Sequence, residues 1–162
     1  MHRKFGLMAF VFLLAAGLGL PAWAQGAPAA PSALSIPEAR LIQPEGLVRM
    51  LKATDKEKPV ILQVGSRVMF GQAHIPGSEY AGPGSQTAGI QSLEDKVSGL
   101  PKDRHIVLYC GCCPWEKCPN IRPAFAALRE MGFTHVKAMV IPENLKTDWI
   151  DKGYPTDKRA AE

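Results

Sequence analysis

The sequence predicts a single α/β domain built on a central, mainly parallel sheet with helices on both faces. Three observations point there. Residues 59–64 (PVILQV) and 105–109 (HIVLY) are near-continuous apolar, β-branched runs, the pattern of strands covered on both faces. Segments with apolar residues at helical spacing lie between such runs, and strands alternating with helices build right-handed crossovers in one sheet. Finally, Cys110 stands at the end of one run, and sites in such sheets gather at the carboxyl ends of strands.

Residues 1–24 read as a signal peptide. His2, Arg3 and Lys4 form a basic start, residues 5–20 are uncharged and mostly apolar, and Ala22-Trp23-Ala24 supplies the small-x-small cleavage pattern. The apolar run is shorter than the roughly 20 residues that span a bilayer. Cleavage after Ala24 predicts a periplasmic protein with no membrane attachment once processed. Residues 25–37, rich in Ala and Pro, are a flexible lead-in.

The domain itself is expected over residues 38–158. Leu41-Ile42 is a short extended piece, and residues 44–51 have helical spacing with Pro44 near the start. The run 59–64 is the next strand. Residues 66–85 read as loop, punctuated by Gly71, Pro76-Gly77 and Gly82-Pro83-Gly84. Ile90, Leu93, Val97 and Leu100 mark a helix over 90–100, and 105–109 is a buried strand delivering Cys110. After a cysteine-rich loop, residues 125–131 are helical with Gly132 placed to end them. Residues 134–141 form another strand, and residues 142–152 hold a short helix around Trp149 and Ile150. No internal repeat or second domain is visible.

The net charge of +4 is mild, Arg3 and Lys4 of the signal contribute to it, and no basic block stands out. A nucleic-acid partner is therefore not expected. Gly82-Pro83-Gly84 has no Lys-Ser/Thr sequel, which rules out a phosphate-binding P-loop. Asp55-Lys56-Glu57-Lys58 and Glu94-Asp95 are ordinary charged surface. His74 sits in a turn where a structural hydrogen bond is its natural role, and His105 and His135 are solvated at strand starts.

All four cysteines, Cys110, Cys112, Cys113 and Cys118, fall within nine residues. Cross-links inside so short a loop would remove little unfolded-state entropy, so this is local chemistry rather than a disulfide framework. A cysteine at a strand end, followed by a loop and a helix, meets converging backbone N–H groups. Those groups lower a thiol pKa and hold an anion. Pro114 after Cys113 excludes the C-x-x-C-H haem motif, and no cysteine is followed six positions later by the arginine of a cysteine phosphatase. Tetrahedral metal sites want two separated cysteine arms and here there is one. No metal ligand is assigned and no cofactor is expected. Thiol–disulfide redox chemistry, and Cu(I) or Zn(II) binding by the same cysteines, remain the alternatives.

Over roughly residues 41–155 the chain resembles the rhodanese (sulfurtransferase) family. The resemblance is carried by residues 59–64, by Ala73-His74-Ile75-Pro76-Gly77-Ser78, and by Ile106-Val107-Leu108-Tyr109-Cys110. Leu128-Arg129-Glu130-Met131-Gly132-Phe133 and Trp149 with Gly153-Tyr154-Pro155 complete it. It implies a rhodanese-like fold and makes Cys110 the sulfur-accepting nucleophile of an exported sulfurtransferase. The loop of Gly111, Cys112, Cys113, Trp115, Lys117 and Arg122 would then surround the bound anion or persulfide. The substrate would be a small sulfur-containing molecule, and the acceptor a thiol or other nucleophile. Three departures stand out. Gln63-Val64-Gly65 replaces the family's Asp-Val-Arg, and Pro142-Glu143-Asn144 replaces a Gly-Gly turn. The active loop is about four residues longer, so Arg122 does not align with the family's loop arginine and Lys117 is the other cation at hand. Cys112, Cys113 and Cys118 are candidate resolving or disulfide partners, with Cys110/Cys113 and Cys113/Cys118 among the pairs. Such pairing would call for a thiol–disulfide reductant protein as partner.

Overall fold

The computed structural model describes residues 35–52, 54 and 58–158. The signal peptide, residues 25–34 of the lead-in and Asp55-Lys56-Glu57 lie outside the described residues. A turn of 3-10 helix, Glu38–Arg40, leads into β1 (Leu41–Ile42), then α1 (Pro44–Leu51) and β2 (Val60–Gln63). These are followed by α2 (Arg67–Gln72), β3 (Ser78–Tyr80), α3 (Thr87–Val97) and β4 (Ile106–Tyr109). A 3-10 turn at Trp115–Lys117, α4 (Ile121–Glu130), β5 (Val136–Met139) and a π-helical turn at Lys146–Ile150 complete the order.

The strands form one sheet in the order β1-β5-β4-β2-β3, and all four pairings are parallel. The expected α/β architecture is what forms. Parallel strands need crossovers, and the helices supply them while covering both faces. Alternate strand residues divide between two apolar clusters. Leu62, Val64, Ile106, Leu108, Val136 and Ala138 pack under α3 and α4 through Leu93, Val97, Ala124, Phe125 and Leu128. Ile61, Val107, Tyr109 and Met139 face the other way, onto Leu47 of α1 and Trp149 of the π-helical turn. Cys110 belongs to the α3–α4 face, so the strand's two-residue period decides which helices surround its sulfur.

Residues 66–85, expected as loop, hold two elements. The α2 helix is capped by Ser66, whose Oγ accepts the Met69 N–H at 3.4 Å. None of its residues is buried, so no apolar stripe betrays it in the sequence. The β3 strand is a three-residue edge strand with Ser78 alone of the three buried, too short for a visible alternation. The α4 helix starts at Ile121, four residues before the expected 125, with Pro123 accommodated in its first turn. The helix expected at 90–100 runs from Thr87 to Val97, and Leu100 donates to the Val97 carbonyl in the turn beyond.

His74 has the expected structural role. Its Nδ1 lies 2.8 Å from the Phe70 carbonyl, its ring stacks on Phe70 at 4.1 Å between centroids, and its backbone bridges Asp157. His105 and His135 are exposed beside each other near the starts of β4 and β5, away from the strands' carboxyl ends. No helix among the described residues is long and apolar enough to cross a membrane.

Candidate active site

Cys110 follows β4 directly and is 6% exposed. Neighbouring backbone seats it from both sides. Gly111, at φ +75, turns the chain sharply, and the Gly111 carbonyl accepts the Leu145 N–H at 3.0 Å. A β-carbon at Gly111 would stand 3.0 Å from the Leu145 Cβ, so position 111 needs glycine twice over. Below the sulfur lies Gly65, just past β2. A β-carbon there would be 2.9 Å from Cys110 Sγ and 2.8 Å from its carbonyl oxygen. Gln63, buried at 2% exposure, donates through Nε2 to the Cys110 carbonyl at 2.9 Å. Its Oε1 accepts the Gly65 N–H at 3.2 Å. The departure from Asp-Val-Arg is therefore a fitted set: a glutamine ties β2 to the nucleophile's backbone, and a glycine clears space for the sulfur.

The sulfur atoms gather closely. Cys110 Sγ is 3.0 Å from Cys112 Sγ, and Cys112 Sγ is 3.7 Å from Cys113 Sγ. Asn120, buried at the start of α4, donates through Nδ2 towards Cys110 Sγ at 3.5 Å and Cys112 Sγ at 4.0 Å. Its amide is oriented by Ser85, whose N–H and hydroxyl both donate to Oδ1 at 3.1 and 2.8 Å. All four cysteines are free thiols in the structure.

Charge settles unevenly over this cluster. Thiol contacts with Cys112 and Cys118, then burial, push the Cys110 pKa well above the ordinary thiol value. Cys112 is lowered to about 6, first by the Cys110 thiol and then, against burial, by the Cys113 thiol and the Ser66 N–H. Cys118 is likewise lowered to about 6, by Cys110 first and by the Asn120 and Ile121 N–H groups at the start of α4. Burial chiefly pushes Cys113 up to about 12. The amides expected to converge on Cys110 are thus shared out. The Cys112 N–H reaches Cys110, whereas the helix-start amides serve Cys118. A proton on Cys110 that it shares with the Cys112 sulfur gives that neighbour the position of a base.

Cys110 and Gly111 open onto a cleft of about 360 Å³, lined by Gln63, Met69, Leu145, Ile150, Lys146 and Lys158 among others. Lys117 and Arg122 do not line it. Lys117 is exposed in the 3-10 turn. Arg122 donates to the Trp115 carbonyl at 3.5 Å, with its guanidinium 5.6 Å from the indole centroid. Trp115, half-buried, shares its N–H between the carbonyls of Ile141 and Pro142 at 3.0 and 3.3 Å, pinning the lengthened loop beyond β5. Lys146 and Lys158, unmarked in the sequence, are the cations at the cleft, and Lys146 is paired with Asp151 at 2.8 Å. Gln63 and Gly65 stand out in the sequence only as departures from the family's Asp-Val-Arg, and Asn120 is unmarked. A glutamine closing an apolar strand run is the signal that points to the first.

Three sulfurs, of Cys110, Cys112 and Cys113, lie within 4.8 Å of one another. They are soft enough for Cu(I) or Zn(II), and one short of the four ligands of a closed zinc site.

The fold recurs in solved structures. The Alr3790 protein from Anabaena sp. is 24% identical, covers 74% of this chain and 94% of its own, and superposes with a TM-score of 0.56. The rhodanese-like domain of the same protein, solved in solution, is 25% identical over 74% of this chain and 79% of its own, with a TM-score of 0.52. The BH2092 protein from Bacillus halodurans is 21% identical over 72% and 75%, with a TM-score of 0.55. A comparison with curated proteins gives no match. Residues 35–140 match the Rhodanese-like domain family. The match takes in the sheet and the whole cysteine loop, and the chain belongs to that family, which is of the sulfurtransferase type.

Proposed function

We propose that the protein is an exported sulfurtransferase whose Cys110 accepts sulfane sulfur as a persulfide and hands it to a thiol or other nucleophile. The observation that carries this reading is the seat of Cys110. It stands at the carboxyl end of β4, on a cleft of about 360 Å³, with the Asn120 amide 3.5 Å from its sulfur. A small sulfur donor enters the cleft. The Cys110 sulfur attacks the donor's outer sulfur atom while its proton passes to Cys112, 3.0 Å away. The donor's remaining sulfur leaves as an anion, and Lys146 and Lys158 at the cleft favour that departure. The bound sulfur atom then sits on Cys110, where the Cys112 N–H and Asn120 stabilise negative charge.

Cyanide is a convenient acceptor for the test. The freshly reduced chain lacking residues 1–24, given a polysulfide with cyanide in large excess over it, is expected to form thiocyanate above the uncatalysed rate in the first turnovers, and Cys110→Ser to lose that gain. Thiocyanate formation unchanged in Cys110→Ser would defeat the assignment. Export is checked separately: a tagged full chain is expected in the periplasmic fraction, shortened by the mass of residues 1–24.

A further inference from the structure

We propose that Cys112 resolves the Cys110 persulfide within the loop, closing a Cys110–Cys112 disulfide and expelling hydrosulfide, so that the site acts as a sulfane-sulfur reductase recharged by a dithiol. The inference rests on the sulfur-accepting role of Cys110 and deepens it by naming the acceptor and the product.

Backbone turn and sulfur distance favour this pair. Residues two apart in an extended chain point to the same side but stand far apart, whereas Gly111 at φ +75 folds the backbone back on itself. The two sulfurs come to 3.0 Å as free thiols. Cys110 is buried while Cys112 is half-buried, so a nucleophile already inside the loop competes at a high effective concentration with any acceptor from solution. Cys110 and Gly111 line the cleft of about 360 Å³. Asn120 Nδ2 reaches both sulfurs, at 3.5 and 4.0 Å, and so follows charge as it moves between them. Cys113 contacts Cys112 at 3.7 Å and holds its proton to about 12. Cys118, which also contacts the Cys110 thiol, is more buried than Cys112, at 5% exposure, and the Asn120 and Ile121 amides hold its sulfur as well.

The step balances without an outside oxidant. Cys112 first returns the proton it took from Cys110 to the outer sulfur; its thiolate then attacks Cys110 Sγ, the S–S bond of the persulfide breaks, and the outer sulfur leaves with the bonding pair and that proton as HS⁻. The sulfane sulfur is reduced and two thiols are oxidised to one disulfide. A dithiol then reduces that disulfide by two exchange steps and is itself oxidised. A ring spanning a single residue is strained, and strained disulfides are the readily reduced ones.

The test uses the reduced chain lacking residues 1–24, under anaerobic conditions, with inorganic tetrasulfide and then removal of excess. Sulfide is measured above the Cys110→Ser background, with intact mass. Wild type is expected to release sulfide and to end about 2 Da lighter than the reduced chain, as one disulfide requires. Alkylation should then label Cys113 and Cys118 and spare Cys110 and Cys112. Trypsin separates Cys118 from the other three after Lys117, so a bridge to Cys118 would appear as two linked peptides and would overturn the assignment. Cys112→Ser lacks the base that takes the Cys110 proton and loads more slowly, so it is left with tetrasulfide until its mass stops changing; it is then expected to retain about 32 Da on Cys110, the mass of one sulfur atom, and to release sulfide roughly tenfold more slowly or worse. Wild type that keeps the extra sulfur, as Cys112→Ser does, would overturn internal resolution while leaving Cys110 as a sulfur carrier. Failure of both chains to gain or release sulfur would remove the sulfur-accepting role itself.

Discussion

Gly65 and Cys110 are fitted to each other: a β-carbon on residue 65 would stand 2.9 Å from the Cys110 sulfur, inside any ordinary contact. The neighbour that must yield is the reacting atom. Gly65→Ala is therefore expected to cost about 1–3 kcal/mol of stability, the range for overpacking a well-filled site. Sulfur transfer should fall by more than stability alone explains, roughly tenfold or beyond, because misplacement of a nucleophile is costly in rate. Denaturant unfolding beside thiocyanate formation separates the two effects, and an alanine variant with wild-type rates would contradict the fit.

Asn120 joins Ser85 to the sulfur cluster, and its two ends are separable by mutation. Asn120→Ala removes both and is expected to cost about 1–3 kcal/mol, since the Ser85 N–H loses its acceptor. Asn120→Asp keeps the acceptor for Ser85 but replaces the donor near Cys110 with negative charge. It should recover most of the stability and none of the sulfur-transfer rate, and it should raise the pH at which the cluster ionises.

Thiol reactivity should split by residue. With Cys112 lowered to about 6 and Cys113 raised to about 12, Cys112 is a thiolate above pH 6 and Cys113 stays protonated through the neutral range. Alkylation of Cys112 is expected to rise as pH climbs through 6 and then level, while that of Cys113 is still increasing at the highest pH tolerated. Peptide mapping after brief exposure to iodoacetamide across pH 5 to 9 measures both. Equal profiles for the two would mean that the loop does not divide charge in this way.

Tyr109 offers a test of the opposite face. Its hydroxyl lies 3.0 Å from Ser78 Oγ and accepts the Ile75 N–H at 3.3 Å, and burial chiefly pushes its pKa up to about 12. Tyr109→Phe strands two buried polar groups and is expected to cost about 1–3 kcal/mol. In ultraviolet titration the tyrosine that ionises last should vanish with the same substitution.

Much of this molecule is legible in the amino-acid order alone. The apolar runs ending at Val64 and Tyr109 can bury only as doubly covered strands, so the parallel sheet and the carboxyl-end position of Cys110 follow from local pattern. The short α2 and β3 were hidden because they bury too little to leave a period. The partners of Cys110 were hidden for a different reason. Gln63 and Gly65 lie about 45 residues before it, and Lys146 and Lys158 well after it. Nothing local ties them to the cysteine until the β2–β4 pairing and the packing of residues 141–158 bring them to one place. Which thiol holds the proton was equally beyond the sequence. That depends on sulfur–sulfur distances and on which amide faces which sulfur, and only the closed tertiary structure sets those.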